Sequence, residues 1–410
     1  MIVAILIWTA CIFYGGLSNG FLLKPINTED TNVSFVAATQ GKIDNEFVGN
    51  LAMTIIENGK IAETYFHSMD QSINDTTVFQ VASVSKWLTS WGIMRMVQDG
   101  RLDLDAPVDN YLTRWHLPET EFDNREVTLR RLLSHTSGLT DDLGYDGFGP
   151  NDRVQTIEES LTKAADGIYS EGIAKVGYEP GSRYMYSGAA YTILQLVIEE
   201  VSGVSFQEYM TQNVFEPLGM SHSTFVLADK PNLKLATLYN DDGTISEPNK
   251  FTALAAASLF TCTKDLSKFL LANISENEVL REETIQQMAV PEAFINVTPV
   301  YGMGPHLYSQ RKEDSKIIGH DGSSGRPVIN TAARIDLQSK NGIIILEMGS
   351  HNIASNLADE WLFWKAGIAD YVVIQRNKGY LLTLLAIGYL AIAVLFIVVI
   401  RRKNKNKQML

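Results

Sequence analysis

A serine hydroxyl is a weak nucleophile until a neighbouring base removes its proton. A lysine three residues further along a helix lies on the same face and can act as that base. Ser-x-x-Lys occurs three times in this chain, at Ser83–Lys86, Ser160–Lys163 and Ser309–Lys312, and context separates them. Ser160 follows Glu158 and Glu159 in a charged helical stretch, so Lys163 reads as a solvated surface residue. Ser309 lies in SQRKED, which reads as an exposed polar turn. Ser83 stands where a strand-like run, VFQVA, meets an apolar helix, and no Asp or Glu falls within four residues of Lys86. A lysine on such a turn is partly desolvated, which favours its neutral, basic form. The helix start also offers free backbone N–H groups to a developing oxyanion. Taken alone, the segment reads equally well as an N-cap serine followed by a lysine snorkelling to solvent.

Other chemistries find less support. The seven histidines contain no H-E-x-x-H and no i, i+4 pair, and the two cysteines, Cys11 and Cys262, form no zinc spacing. Neither metal nor cofactor is expected. A Gly-x-Ser-x-Gly runs from Gly16 to Gly20 but lacks the strand and helix that a nucleophile elbow requires. His135, in LLSHTSGL, reads as a structural residue tying a helix end to its loop.

The elements that must position Ser83 can be read from periodicity. LAMTIIENGKIA gives two strands joined at Asn58-Gly59. Val84, Trp87, Leu88, Trp91 and Met94 mark one side of a helix that Asp99-Gly100 ends. Helical patterns dominate from about 128 to 215, and strand-like runs return after Tyr301, including KIIGH and NGIIILEM. Strands at both ends with helices between predict an α+β fold: an antiparallel sheet flanked by helices, with an inserted, mostly helical lobe.

The chain of 410 residues carries a net charge of −13, and its last ten residues, RRKNKNKQML, hold five basic groups and no acid. The remaining body is strongly acidic, which argues against nucleic-acid binding. Tyr380 to Ile400 is an uncharged run of 21 residues, about 31 Å as a helix, and matches a bilayer core of about 30 Å. Arg401 and Arg402 follow at once, so the positive-inside rule puts residues 401–410 in the cytoplasm. Residues 1–20 read as a signal peptide or an N-terminal anchor; they lack a basic n-region. The expectation is a single-pass cell-membrane protein whose body, residues 35–370, faces outward.

Within that body, FQVASVSK resembles the nucleophile segment of the class C β-lactamase, D-alanyl-D-alanine carboxypeptidase and esterase family of penicillin-recognising serine hydrolases. VTLRRLLSHTSGL at 127–139, PGSRYMYSGAAY at 180–191, VFEPLGMSHSTF at 214–225, TCTKDLSKFL at 261–270, YGMG at 301–304 and GHDGSSG at 319–325 are similar to further segments of that family, in its order. The resemblance implies the β-lactamase/transpeptidase-like fold and an acyl-enzyme on Ser83, with Lys86 sharing its proton and Tyr186 as general base and acid. Tyr184 is a rival, but its phase after Pro180-Gly181 is less fitting. His320 and Gly322 would line the substrate edge, with the Ser323 amide completing the oxyanion hole. Where the family's tyrosine motif ends in Asn, this chain has Gly188, which removes an amide contact to substrate. A small ester, a D-amino peptide or a β-lactam-like molecule would be the substrate, esters and D-amino peptides ahead of β-lactams. A catalytically silent binding or sensory module on the same fold is the alternative. Oligomeric state stays open.

Overall fold

The computed structural model describes residues 1–407 apart from 19, 48, 140–143, 170 and 309–315. Ser309 and Lys312 therefore lie outside the described residues. The chain forms two compact units, one of residues 39–358 and one joining residues 1–38 to 359–410.

The larger unit is built on an eight-stranded sheet. Its strands are β1 (Asn50–Glu57), β2 (Lys60–Ser68), β3 (Ala293–Ile295), β4 (Thr298–Tyr301), β5 (His306–Tyr308), β6 (Ile317–Gly325), β7 (Val328–Asp336) and β8 (Gly342–Met348). Their order is β2-β1-β8-β7-β6-β5-β4-β3, antiparallel throughout. The β1–β8 pairing, from Asn50 opposite Met348 to Ile56 opposite Gly342, joins the two ends of the unit. The expected α+β fold with a split sheet is what the chain adopts. Asn58 and Gly59 both take positive φ, 51° and 74°, as the two-residue hairpin between β1 and β2 requires. β7 is buried along its whole length. Asn330, Thr331 and Arg334 interrupt its apolar pattern, so the sequence reading did not single it out.

Helix α1 (Val84–Gln98) ends at Asp99, before Gly100 with φ 73°, as its sequence predicts. It is buried nearly all round rather than on one face, because Trp87 packs edge-on and Trp91 tilted against Phe269 of a second helix over the sheet. Its polar positions are tied to backbone carbonyls: Ser85 Oγ donates to Ala82 O and Thr89 Oγ1 to Ala255 O. The inserted lobe is less helical than predicted. It contains α2 (Leu129–Leu133) and α3 (Gly188–Ser202), but much of residues 134–187 runs in turns held by backbone hydrogen bonds such as Met185 N to His135 O, 2.8 Å.

The smaller unit holds a helix at Ile2–Phe13 and a second of 37 residues at Tyr371–Lys407. Residues 371–406 of the latter are long and apolar enough to cross a membrane, with a mean hydropathy of 2.9 in the most apolar window.

Candidate active site

The turn before α1 is strained and tightly held. Ala82 sits in the left-handed region at φ 46°, a conformation that costs a non-glycine residue about 1 kcal/mol or more. Val81 N donates to Leu259 O at 2.9 Å, and Thr331 Oγ1 on β7 donates to Val81 O at 3.0 Å. These bonds fix Ser83 at the N-cap of α1, yet its side chain caps nothing. The hydroxyl instead lies 3.2 Å from Lys86 Nζ, which also donates to Ala256 O at 2.8 Å. Lys86 is 3% exposed. It does not snorkel, and burial pushes its pKa down to about 7.

The Tyr186 ring lies over Lys86, with Nζ 4.8 Å from its centroid. Tyr186, and not Tyr184, lines the cavity in front of Ser83. It is positioned from behind by His135, whose ring centroid is 4.3 Å away. His135 Nδ1 accepts from Ser187 N at 3.0 Å, and Ser187 Oγ caps α3 by accepting from Ala190 N. His135 takes φ 58° and is buried, so its basicity is pushed well below the ordinary histidine range.

β6 brings the remaining candidates alongside. Gly322 is buried against the turn that carries Ser83: a Cβ there would run into Val81 O, and would stand 2.6 Å from Thr331 Oγ1 and 3.1 Å from Ser83 N. Only glycine lets the strand approach this closely. Ser323 follows, exposed and lining the cavity beside Ser83. His320 is 1% exposed and stands behind the cavity wall rather than on it. Its Nδ1 faces Asp321 O at 2.6 Å and its Nε2 faces Tyr301 OH at 2.9 Å, so Nδ1 donates and Nε2 accepts. Burial keeps this ring neutral. Gly188, at the first turn of α3, is also buried and outside the cavity lining.

The cavity has a volume of about 420 Å³. Sequence reasoning missed its rim, where Gly144, Tyr145, Asp146, Ile168 and Tyr169 come from two loops joined by Ile168 N to Gly144 O and Asp146 N to Asp166 O. Asn249 Nδ2 ties that rim to the β6–β7 turn, donating to Asp146 O and Arg326 O, each at 2.7 Å. Under the rim the Asp166 carboxyl is buried, which raises its pKa to about 6. Tyr301 and His306 were also missed; they stand with His320 behind the cavity lining, the His306 ring edge-on to His320 at 4.6 Å. Nothing in their local sequence beyond the YGMG segment marks them. Among the described lining residues Lys86 is the only lysine and arginine is absent.

Ser160, the rejected alternative, is buried in a short helix with a capping box at Thr156, far from any partner role for Lys163, whose carbonyl serves Gln155. Away from the cavity, His222, Cys262 and Asp265 bring ligand atoms within 4.8 Å of one another. Asp265 is already occupied there: Oδ2 accepts from His222 N and Ser223 Oγ, and Lys268 Nζ stands 3.4 Å from Oδ1. That carboxylate is a structural tie.

Comparison with known proteins agrees with this architecture. A family model described as Beta-lactamase matches residues 39–367. A putative penicillin-binding protein PbpX of Bacillus subtilis is 26% identical over 280 residues, 66% of this chain and 65% of the relative. Protein flp of Staphylococcus aureus is 24% identical over 252 residues, 59% of this chain and 49% of that relative. The chain thus spans about half to two thirds of the length of these curated relatives. Among solved structures, the octameric penicillin-binding protein homologue from Pyrococcus abyssi superposes with a TM-score of 0.68 at 26% identity, covering 83% of this chain and 78% of that one. A penicillin binding protein from Bacillus halodurans shares the fold with a TM-score of 0.61 at 22% identity, covering 83% and 98%.

Proposed function

This chain belongs to the Beta-lactamase family, and from that premise we propose that it is a membrane-anchored serine hydrolase working through a Ser83 acyl-enzyme. One observation carries the reading: Ser83 Oγ lies 3.2 Å from the amine of a buried lysine whose pKa is lowered to about 7 by desolvation alone. Neutral Lys86 takes the hydroxyl proton as Oγ attacks the substrate carbonyl. The backbone N–H groups of Ser83 and Ser323 receive the oxyanion, with Gly322 permitting their approach. Tyr186, coupled to Lys86 through its ring, passes a proton to the leaving group and then activates the hydrolytic water. His320 supports the wall from behind, hydrogen-bonded to Tyr301, rather than touching substrate.

The substrate side favours neutral acyl groups. With no arginine among the described lining residues and its one lysine engaged with Ser83 and Ala256, the cavity offers a carboxylate no fixed cation. Gly188 offers no side-chain amide either. Short esters or D-amino peptides are therefore the proposed substrates ahead of penicillins and cephalosporins. Gly188 is also the observation that favours the second reading, a silent binding module.

The Tyr371–Lys407 helix is the proposed anchor, with Arg401 and Arg402 on the cytoplasmic side and the hydrolase unit outside. The test of the enzyme reading is labelling with a fluorescent fluorophosphonate. Wild type and Ser160→Ala should label at Ser83, and Ser83→Ala should not. Absence of label and of ester turnover in a folded wild type would leave the binding module.

A further inference from the structure

The two helices of the smaller unit are fitted to one another. They run antiparallel: Trp8 lies against Gly388, Gly16 against Leu381, and Lys24 beside Asn377 and Tyr380. The Trp8 indole occupies the space a side chain at 388 would need, since a Cβ added to Gly388 would overlap the ring. Small residues that let helices approach are the usual basis of packing in lipid, where apolar surface alone gives no preference. One turn away, Thr9 Oγ1 donates to Ile5 O at 2.8 Å and takes a hydrogen bond from Tyr389 OH at 2.7 Å. Without Thr9 that hydroxyl would lie in hydrocarbon with no partner from this helix.

The Lys24 end of the pair is clamped by polar groups. Asn377 is 3% exposed. Its Oδ1 accepts from Lys24 N at 2.9 Å and its Nδ2 donates to Lys24 O at 3.1 Å. Arg376, paired with the buried Glu360, donates to the same carbonyl. The Lys24 ammonium stands 4.0 Å over the Tyr380 ring. Ile12, Leu23, Phe363, Val373 and Leu381 close an apolar core around these contacts.

We propose that the N-terminal helix is retained in the mature protein and crosses the membrane against the C-terminal helix as a two-helix anchor, rather than being removed as a signal peptide. Residues 2–18 form about 25 Å of continuous helical turns, close to a bilayer core of about 30 Å. Cleavage in the small-residue stretch around Gly15 to Gly20 would empty the notch at Gly388 and strip Tyr389 of its partner. This inference rests on the reading of Tyr371–Lys407 as membrane-spanning, and is independent of the chemistry at Ser83.

The test uses the full chain in its own membranes, in a Cys11→Ala background. Mass spectrometry of the purified protein should recover peptides from residues 1–24. Trp8→Cys with Gly388→Cys should form an intramolecular disulfide in high yield on mild oxidation, and Trp8→Cys with Ile387→Cys should give at least several-fold less. A second pair, Gly16→Cys with Leu381→Cys, should cross-link well, and several-fold less when Gly388→Leu fills the notch. A mature chain that begins near residue 20 but stays in carbonate-washed membranes would overturn the retained helix while leaving the C-terminal anchor intact. Release by carbonate of a chain with its N-terminal peptides intact would overturn both. Fluorophosphonate labelling of Ser83 in the same samples reports separately on the enzyme reading.

Discussion

Replacing Lys86 by methionine should abolish acylation and stabilise the protein at the same time. Burial pulls the lysine from its ordinary value of 10.5 down to about 7, and each unit corresponds to about 1.4 kcal/mol. The sign follows from proton binding. The fold binds this proton more weakly than the unfolded chain does, so the penalty is full below about pH 7 and fades as pH rises toward 10.5. At pH 7 that amounts to about 4 kcal/mol, and at pH 9 to about 2 kcal/mol. Methionine fills nearly the same volume and loses the bonds to Ser83 Oγ and Ala256 O, roughly 1 kcal/mol each. The net gain is about 2 kcal/mol at pH 7 and close to none at pH 9. For a domain of this size the pH 7 gain corresponds to a Tm rise of a few degrees. Thermal unfolding of wild type and Lys86→Met from pH 6 to 9 measures it, alongside fluorophosphonate labelling, which should fall by several orders of magnitude. A variant less stable than wild type at pH 6, or one whose difference grows toward pH 9, would refute the buried-base account.

The acylation rate of the wild type should rise with pH through about 7 and then level off as Lys86 becomes neutral; a rate that falls across that range would contradict the assignment. Gly322→Ala places a Cβ into Val81 O and against Thr331 Oγ1, so it should cost about 1–3 kcal/mol in stability and lower labelling by more than the loss of folded protein explains. Gly188→Asn should raise β-lactam turnover relative to ester turnover by about 2–10-fold, the value of one added hydrogen bond; an unchanged ratio would remove Gly188 from the account of specificity. Asp166 has a raised pKa of about 6, so its contribution is full below about pH 4 and lost as pH rises through 6. Asp166→Asn should therefore flatten the stability profile between about pH 4 and 6, gaining roughly 2–3 kcal/mol over wild type above pH 6, read from urea midpoints.

The parts of this molecule legible in the sequence are those whose determinants are local. Asn58-Gly59 dictates its own hairpin, Asp99-Gly100 ends its own helix, and the unbroken apolar run at 380–400 stays helical for want of any competing signal. The turns of residues 134–187 were overcalled as helical because their apolar residues serve tertiary contacts. Leu139 pairs in an isolated bridge with Val176, and Tyr145 with Gly167; neither partner is visible within a helical window. β7 escaped notice for the opposite reason. Its polar residues satisfy distant groups, Thr331 holding Val81 O and Arg334 meeting Asp321, so the strand is buried without reading as apolar.

The same distinction explains the site. Ser83 and Lys86 are one helical turn apart, and local spacing finds them. What keeps that lysine neutral is not local: it is burial among Tyr186, Tyr191, Tyr301, His135, His306 and His320, drawn from four separate stretches of chain. Were any of these histidines charged at neutral pH, a cation would stand among groups that Lys86 already repels electrostatically, and desolvation opposes that charge at each ring. The desolvation pushes His306 down to about 4 and holds His135 and His320 well below the ordinary histidine range. His320 shows how it is done: its Nδ1 proton is committed to Asp321 O, and its Nε2 lone pair is committed to the Tyr301 hydroxyl, itself held protonated by burial. A ring so placed contributes hydrogen-bonded rigidity and no charge. It keeps the surroundings of Lys86 neutral, as the proposed role of that lysine as a base requires.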